Sequence, residues 1–183
     1  MCTHNLILAG LLTSLAVGRP LQAQQLKVEP DQRYLILEVA RVSTLEKELN
    51  AAGQLGFQVK MSTAAGNKVE VLMERPEPSG TFQYRVVSTF RKKTGEQEMN
   101  DAAAGGFRVV PHTFLNKSGL TAYDVSAVVI MEKVANVASL YEYKSIGALN
   151  TPILDKELKA AVSEGWTAVG LRYAGVVLER LRR

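Results

Sequence analysis

Apolar and polar positions along the chain follow one plan three times. A run of large apolar and β-branched residues at 34–42, apolar on both faces for much of its length, predicts a strand. Leu45, Leu49 and Ala52 then fall at helical spacing. Alternating runs at 57–63 and 68–75 predict two strands joined at Ala64-Ala65-Gly66-Asn67. The second round opens with Phe82, Tyr84, Val86, Ser88 and Phe90 alternating with Gln83, Arg85, Val87, Thr89 and Arg91, a half-buried strand pattern. A helix at 95–104, a strand from Phe107 that Pro111 interrupts, and a strand at 124–133 follow. The third round opens at Tyr141-Glu142-Tyr143-Lys144. It places Leu154, Leu158 and Ala161 at helical spacing and turns tightly near Tyr173-Ala174-Gly175.

The spacing within each round is fixed. Tyr34, Tyr84 and Tyr143 each lie 22 positions before Gly56, Gly106 and Gly165. Each Gly suits the position just past a helix, where a left-handed backbone is needed. The following Phe57, Phe107 or Trp166 is expected to fold back against Ala52, Ala102 or Ala161, five residues upstream. Helix starts are expected at Ser43 or Thr44, with Glu46 completing a capping box. Thr94 with Gln97, and Thr151 followed by Pro152, mark the other two. Glu46, Glu48, Glu96, Glu98, Asp155 and Glu157 then read as acids meeting the helix dipole. The last strands end alike, in Met73-Glu74-Arg75, Met131-Glu132-Lys133 and Leu178-Glu179-Arg180.

These patterns predict an α+β fold of three β-α-β-β repeats with antiparallel sheets, each with one helix packed on it. The repeats cover 34–76, 82–133 and 141–181. Residues 24–33 and the Pro-rich stretch 76–80 read as linkers. A lone unit of three strands and a helix buries little, so the units are expected to pack together. They can do so by continuing a sheet or by a pseudo-threefold arrangement.

Residues 6–17 form an apolar run too short to span a bilayer comfortably. With Leu21-Gln22-Ala23 after it, the segment 1–23 reads as a secretory signal peptide cut after Ala23. No stable membrane span then follows cleavage. Loss of Cys2, His4 and Arg19 leaves 21 basic and 18 acidic residues, a net charge of +3, with no cysteine and only His112. The charge is small and the basic residues alternate with acids, which argues against nucleic acid. A cysteine-free chain is compatible with an extracytoplasmic compartment, periplasmic or secreted.

The mature sequence offers no metal-ligand spacing and no phosphate cradle, and no cofactor is expected. His112, Ser118 and Asp124 lie close together, but nothing resembles a nucleophile elbow. The second hairpin is eight residues longer than the first, counted from Phe107 to Glu132 against Phe57 to Glu74. Long loops on rigid scaffolds are where recognition tends to sit. His112, Phe114, Asn116, Lys117 and the nearby Tyr123 are therefore the candidate contact residues for a partner or ligand. The recurrent tyrosines read as core rings with the hydroxyl at the rim, or as a row of binding aromatics.

Tyr141-Glu142-Tyr143-Lys144, followed by Leu158 and Gly165-Trp166, resembles a short bacterial domain-of-unknown-function family. Its pattern is a Tyr-x-Tyr-Lys opening, an amphipathic helix and a Gly-Trp-Glu-x-Val turn. The third round matches best, with Thr167 where the family has Glu; Phe57 and Phe107 replace the Trp in the others. The resemblance implies a fold and no reaction, cofactor or catalytic residue. The leading expectation is an extracytoplasmic, non-catalytic interaction or adaptor protein whose partner is another envelope protein. The alternative is a small-ligand-binding protein with an apolar pocket between repeats. An enzyme with a dispersed acid or Tyr site ranks third.

Overall fold

The structure, a computed structural model, describes residues 28–65, 68–89, 92–118, 125–133, 141–147, 150–172 and 175–182. The expected signal segment, Tyr123, Asp124 and the turn at Tyr173 lie outside these. Three helices and ten strands occur among the described residues, in three antiparallel sheets. The first sheet has the order β1-β3-β2 and comprises β1 (Tyr34–Val39), β2 (Gln58–Ala65) and β3 (Lys68–Glu74), with α1 (Val42–Gln54) between its first two strands. The second comprises β4 (Tyr84–Thr89), β5 (Phe107–Val109), β6 (Leu115–Ser118) and β7 (Val125–Lys133), with α2 (Lys92–Ala104). Here β7 lies between β4 and β5, and β6 also pairs with β7. The third, in the order β8-β10-β9, comprises β8 (Tyr141–Gly147), β9 (Thr167–Arg172) and β10 (Gly175–Leu181), with α3 (Thr151–Ser163). The fold is α+β, with a helix beside each sheet; each sheet with its helix is called a unit below.

The helices stop where glycine permits. Gly56, Gly106 and Gly165 have φ of +90°, +86° and +88°. Phe57 N–H donates to Ala52 O and Trp166 N–H to Ala161 O, both at 3.1 Å, closing the six-residue bond of a Schellman end. Phe57 and Trp166 are buried behind it. The shared strand endings acquire a purpose. Arg75 stacks over Phe57 at 4.6 Å, Lys133 over Phe107 at 5.6 Å and Arg180 over Trp166 at 4.3 Å, measured to the ring centres. Each base covers the ring that ends its own unit's helix, a contact worth about 0.5–1 kcal/mol at an exposed site.

The helix starts differ from expectation. The residue preceding α1 is Arg41, which makes no side-chain cap, and Ser43 lies inside the helix. Glu46 cannot complete a capping box because its carboxylate is bonded to another strand, Val86 N–H at 2.8 Å. α2 begins at Lys92, so Thr94 is internal, and Gln97 donates to Asp101 one turn on. At α3 the cap is Asn150, one residue before Thr151, and its side chain accepts from Ile153 N–H at 3.1 Å.

No sheet continues into the next, which corrects that expectation. Instead the hydrophobic clusters step along the chain. The first joins unit 1 to Tyr84, Leu115, Val128 and Ile130 of unit 2. The second joins unit 2 to Tyr143 and Val177 of unit 3, and the third stays within unit 3. β1 is not buried on both faces: Leu35, Leu37 and Val39 point into the core while Tyr34 and Ile36 face solvent.

Gly165 isolates the cost of the left-handed turn, because a Cβ there would meet nothing within 4 Å. Gly165→Val should therefore lose about 1–2 kcal/mol from backbone strain alone. Gly165→Asn should lose clearly less, since Asn tolerates that conformation. Urea titration of both variants checks this, and equal losses would contradict it.

Candidate functional site

The polar side chains of α1 and α2 converge on the junctions between units. A strand at a sheet edge leaves N–H and C=O groups unpaired, and burying them without partners is costly. Asn50 on α1 resolves this for β4: its amide donates to Tyr84 O and its oxygen accepts from Tyr84 N–H, both at 2.9 Å. Asn100 on α2 does the same for β8, donating to Tyr143 O and accepting from Tyr143 N–H, both at 2.9 Å. One turn earlier, Glu46 accepts from Val86 N–H at 2.8 Å and Glu96 from Ser145 N–H at 2.7 Å. Each helix side thus substitutes for a neighbouring strand. Helical spacing places the carboxylate and the carboxamide on one face, four residues apart.

The tyrosine rings complete the joint from the other direction. Tyr84 OH accepts from Val59 N–H at 3.0 Å and donates to Phe57 O at 3.1 Å. Tyr143 OH accepts from Val109 N–H at 2.9 Å and donates to Glu179 at 2.8 Å. Burial pushes both phenols well above the usual tyrosine range. These two rings are junction cores, whereas Tyr34 is exposed. Each Tyr faces a Glu across its own sheet: Tyr34 opposite Glu74, Tyr84 opposite Glu132, Tyr143 opposite Glu179. The third partner of each acid varies. Glu179 holds Arg108 of unit 2 at 2.8 Å, and that hydrogen bond raises the arginine's already high pKa. Glu132 takes the neutral amide of Gln58, at 2.8 Å, where Glu179 takes a guanidinium. Burial holds the Glu132 carboxyl above the usual glutamate range, against the hydrogen bonds from Gln58 and Tyr84 and the charge of Lys60. At unit 1, hydrogen bonds from Arg33 and Lys60 hold Glu74 below that range.

Two open clefts lie near these joints. One, of about 620 Å³, is lined by Val42, Glu46, Lys47, Asn50, Ser88 and Glu98 among others. It brings two acids to one cleft, but the Glu46 carboxylate is already held by Val86 N–H and, at 3.5 Å, by Arg85. A second, of about 400 Å³, lies beside the Arg108–Glu179 pair. The apolar cavity between units 2 and 3, at Met99, Phe114, Val129 and Val177, is about 20 Å³, room for a single water and for no organic ligand. Among the described residues no group of three or more His, Cys, Asp and Glu is placed to hold a metal ion.

The long second hairpin acts partly as a fastener. Part of it is β6, paired with β7. His112 is exposed with φ +62°, and its carbonyl accepts from Ser62 N–H of β2 at 3.1 Å. Phe114 is half-buried, with its ring so close over Gly170 of β9 that a Cβ there would lie 2.0 Å from it. Asn116 is exposed on β6, and Lys117 follows it opposite Ser126. Tyr123 lies outside the described residues, as does Asp124. The hairpin therefore ties unit 2 to both neighbours. Glu46, Asn50, Glu96 and Asn100 carry the junctions, and the sequence did not single them out as a set. Their signal was a Glu and an Asn four apart at matching places in the first two rounds, replaced by Asp155 and Lys159 in the third.

No family model matches the chain, and neither a curated protein nor a solved structure matches it.

Asn50→Ala and Asn100→Ala should each cost about 2 kcal/mol, since each strands a buried N–H and C=O on the next unit's edge. Denaturant unfolding measures this; losses below about 0.5 kcal/mol would remove the joint's claimed role. Glu132→Gln carries a pH signature. A carboxyl whose folded pKa is raised contributes stability that is complete below its unfolded pKa and is lost as pH rises through the folded value. The Gln variant stays neutral throughout, so its melting temperature should gain on the wild type between about pH 4 and pH 7. A difference, variant minus wild type, that is flat or falls over that range contradicts the assignment.

Proposed function

We propose that the chain is an extracytoplasmic, non-catalytic interaction protein, an adaptor for another envelope protein. One observation carries this reading: the polar side chains that gather at the junctions are spent on joining units. Glu46, Asn50, Glu96, Asn100, Tyr84 and Tyr143 all find their partners within the chain. What this produces is a row of small sheets joined in chain order, the kind of arrangement repeat proteins use to bind other chains. The location rests on residues 1–23 as a cleaved leader. Among the described residues, no helix is long and apolar enough to cross a membrane. The alternative of a small apolar ligand between units draws no support from a cavity of about 20 Å³.

The test is native mass spectrometry of the chain purified gently from its own host's envelope fraction. A chain beginning at Gln24 with a protein-sized additional mass is expected. Retention of residues 1–23 in a cytoplasmic fraction would overturn the location. A small retained mass in place of a protein would overturn the adaptor in favour of ligand binding.

A further inference from the structure

The first strand of a unit is covered by a helix at two of its three occurrences. α1 covers β4 and α2 covers β8, each with the same three elements. A carboxylate (Glu46, Glu96) takes the N–H two residues beyond the Tyr. A carboxamide four residues on (Asn50, Asn100) takes both backbone groups of that Tyr. A small residue three further on (Gly53, Ala103) lets the helix approach: a Cβ on Gly53 would lie 2.3 Å from Phe82 O.

β1 is the corresponding strand of unit 1, and among the described residues no helix covers its outer edge. Tyr34 is 51% exposed and Ile36 68%, whereas Tyr84 and Tyr143 are each 2% exposed. The edge is already partly prepared. Gln32 donates its side-chain amide to Tyr34 O at 2.8 Å, the bond that Asn50 makes to Tyr84 O. Open edges with apolar side chains invite association and are ordinarily blunted by charge.

A second copy of this chain is a poor occupant. The helix of unit 3, α3, which among the described residues covers no further strand, presents Asp155, Lys159 and Val162 at the three places. An ammonium group cannot accept from the Tyr N–H, and Lys159 is paired with Asp155 at 2.6 Å. Val162 puts a branched side chain, 56% exposed, where the two working junctions have Gly and Ala. α3 therefore lacks the set of side chains that makes the two junctions.

We propose that the outer edge of β1, at Tyr34 and Ile36, docks an amphipathic helix of another protein that carries Glu, then Asn four residues on, then Gly or Ala three residues after that. The carboxylate takes Ile36 N–H. The carboxamide displaces Gln32 and bonds Tyr34 both ways. The helix then buries the Tyr34 and Ile36 side chains. The proposal rests on the interaction reading and gives that partner its chemistry.

The defined probe is this chain itself, residues 24–183, with Asp155→Glu, Lys159→Asn and Val162→Ala restoring the helix and Ile36→Lys blocking its own β1. Mixed with wild-type 24–183, it should form a one-to-one complex by sedimentation velocity, while wild type alone stays monomeric. Ile36→Lys on the receiving chain should weaken the complex by about tenfold or more. No complex, from a probe whose circular dichroism and melting match wild type, overturns the proposal. If the probe does not fold, a synthetic peptide copying residues 92–108, which contain the helix that covers β8, replaces it. Its fluorescence anisotropy should rise with wild type and not with Ile36→Lys, and no rise overturns the proposal. A wild-type oligomer abolished by Ile36→Lys would make a second copy the occupant and overturn it too. If β1 fails these tests while an envelope protein still co-purifies, the site is wrong and the adaptor reading stands. If the probe binds and no protein co-purifies, the edge is competent and the adaptor reading falls.

Discussion

The structure depends on how a buried strand edge is satisfied when no strand lies beside it. β4 and β8 begin their sheets and are enclosed by the preceding unit. Their outward N–H and C=O groups would be stranded there without partners. A carboxamide carries both a donor and an acceptor, so Asn50 and Asn100 can each reproduce the pair of bonds a strand would give. A carboxylate one turn earlier takes the next N–H. Because helix side chains do this work, the three sheets stay separate and stand in a row.

The remaining features follow from that joint. The Tyr whose backbone is held by Asn sends its ring into the seam, where its hydroxyl meets the edge of the previous unit's second strand. The Glu opposite it lies in the same seam, buried at Glu179 and half-buried at Glu132, and unit 2 supplies Arg108 where unit 1 supplies Gln58. The two seams are therefore similar in geometry and different in electrostatics, one holding an ion pair and the other a carboxyl that burial pushes toward neutrality. The long hairpin adds a further tie, through His112 O on one side and Phe114 on the other.

Several local expectations gave way to these ties. Glu46 fits a capping box by spacing, yet its carboxylate reaches Val86 because an edge N–H in the interior is a more demanding partner than a helix end open to water. Thr94 fits a cap, yet α2 starts earlier, at Lys92. β1 has apolar residues on both faces, which suggests full enclosure, but only one face meets a core. The described part of the second hairpin does more than carry candidate contact residues: it ties unit 2 to unit 1 through His112 O and to unit 3 through Phe114.

By itself the sequence determined the order of elements apart from β6, the α+β class and the points where helices end. Those depend on contacts within a few residues: the left-handed glycines, the helical spacing of Leu45, Leu49 and Ala52, and the strand alternation. The tertiary structure alone decided which helix covers which strand, and so what Glu46, Asn50, Glu96 and Asn100 do. Their bonds span 34 to 49 residues. The identical side chains on an exposed helix would face water, so no local pattern distinguishes the two fates. The packing of one unit against the next turns a polar helix face into a joint; among the described residues, the corresponding strand of unit 1 has no helix on its outer edge.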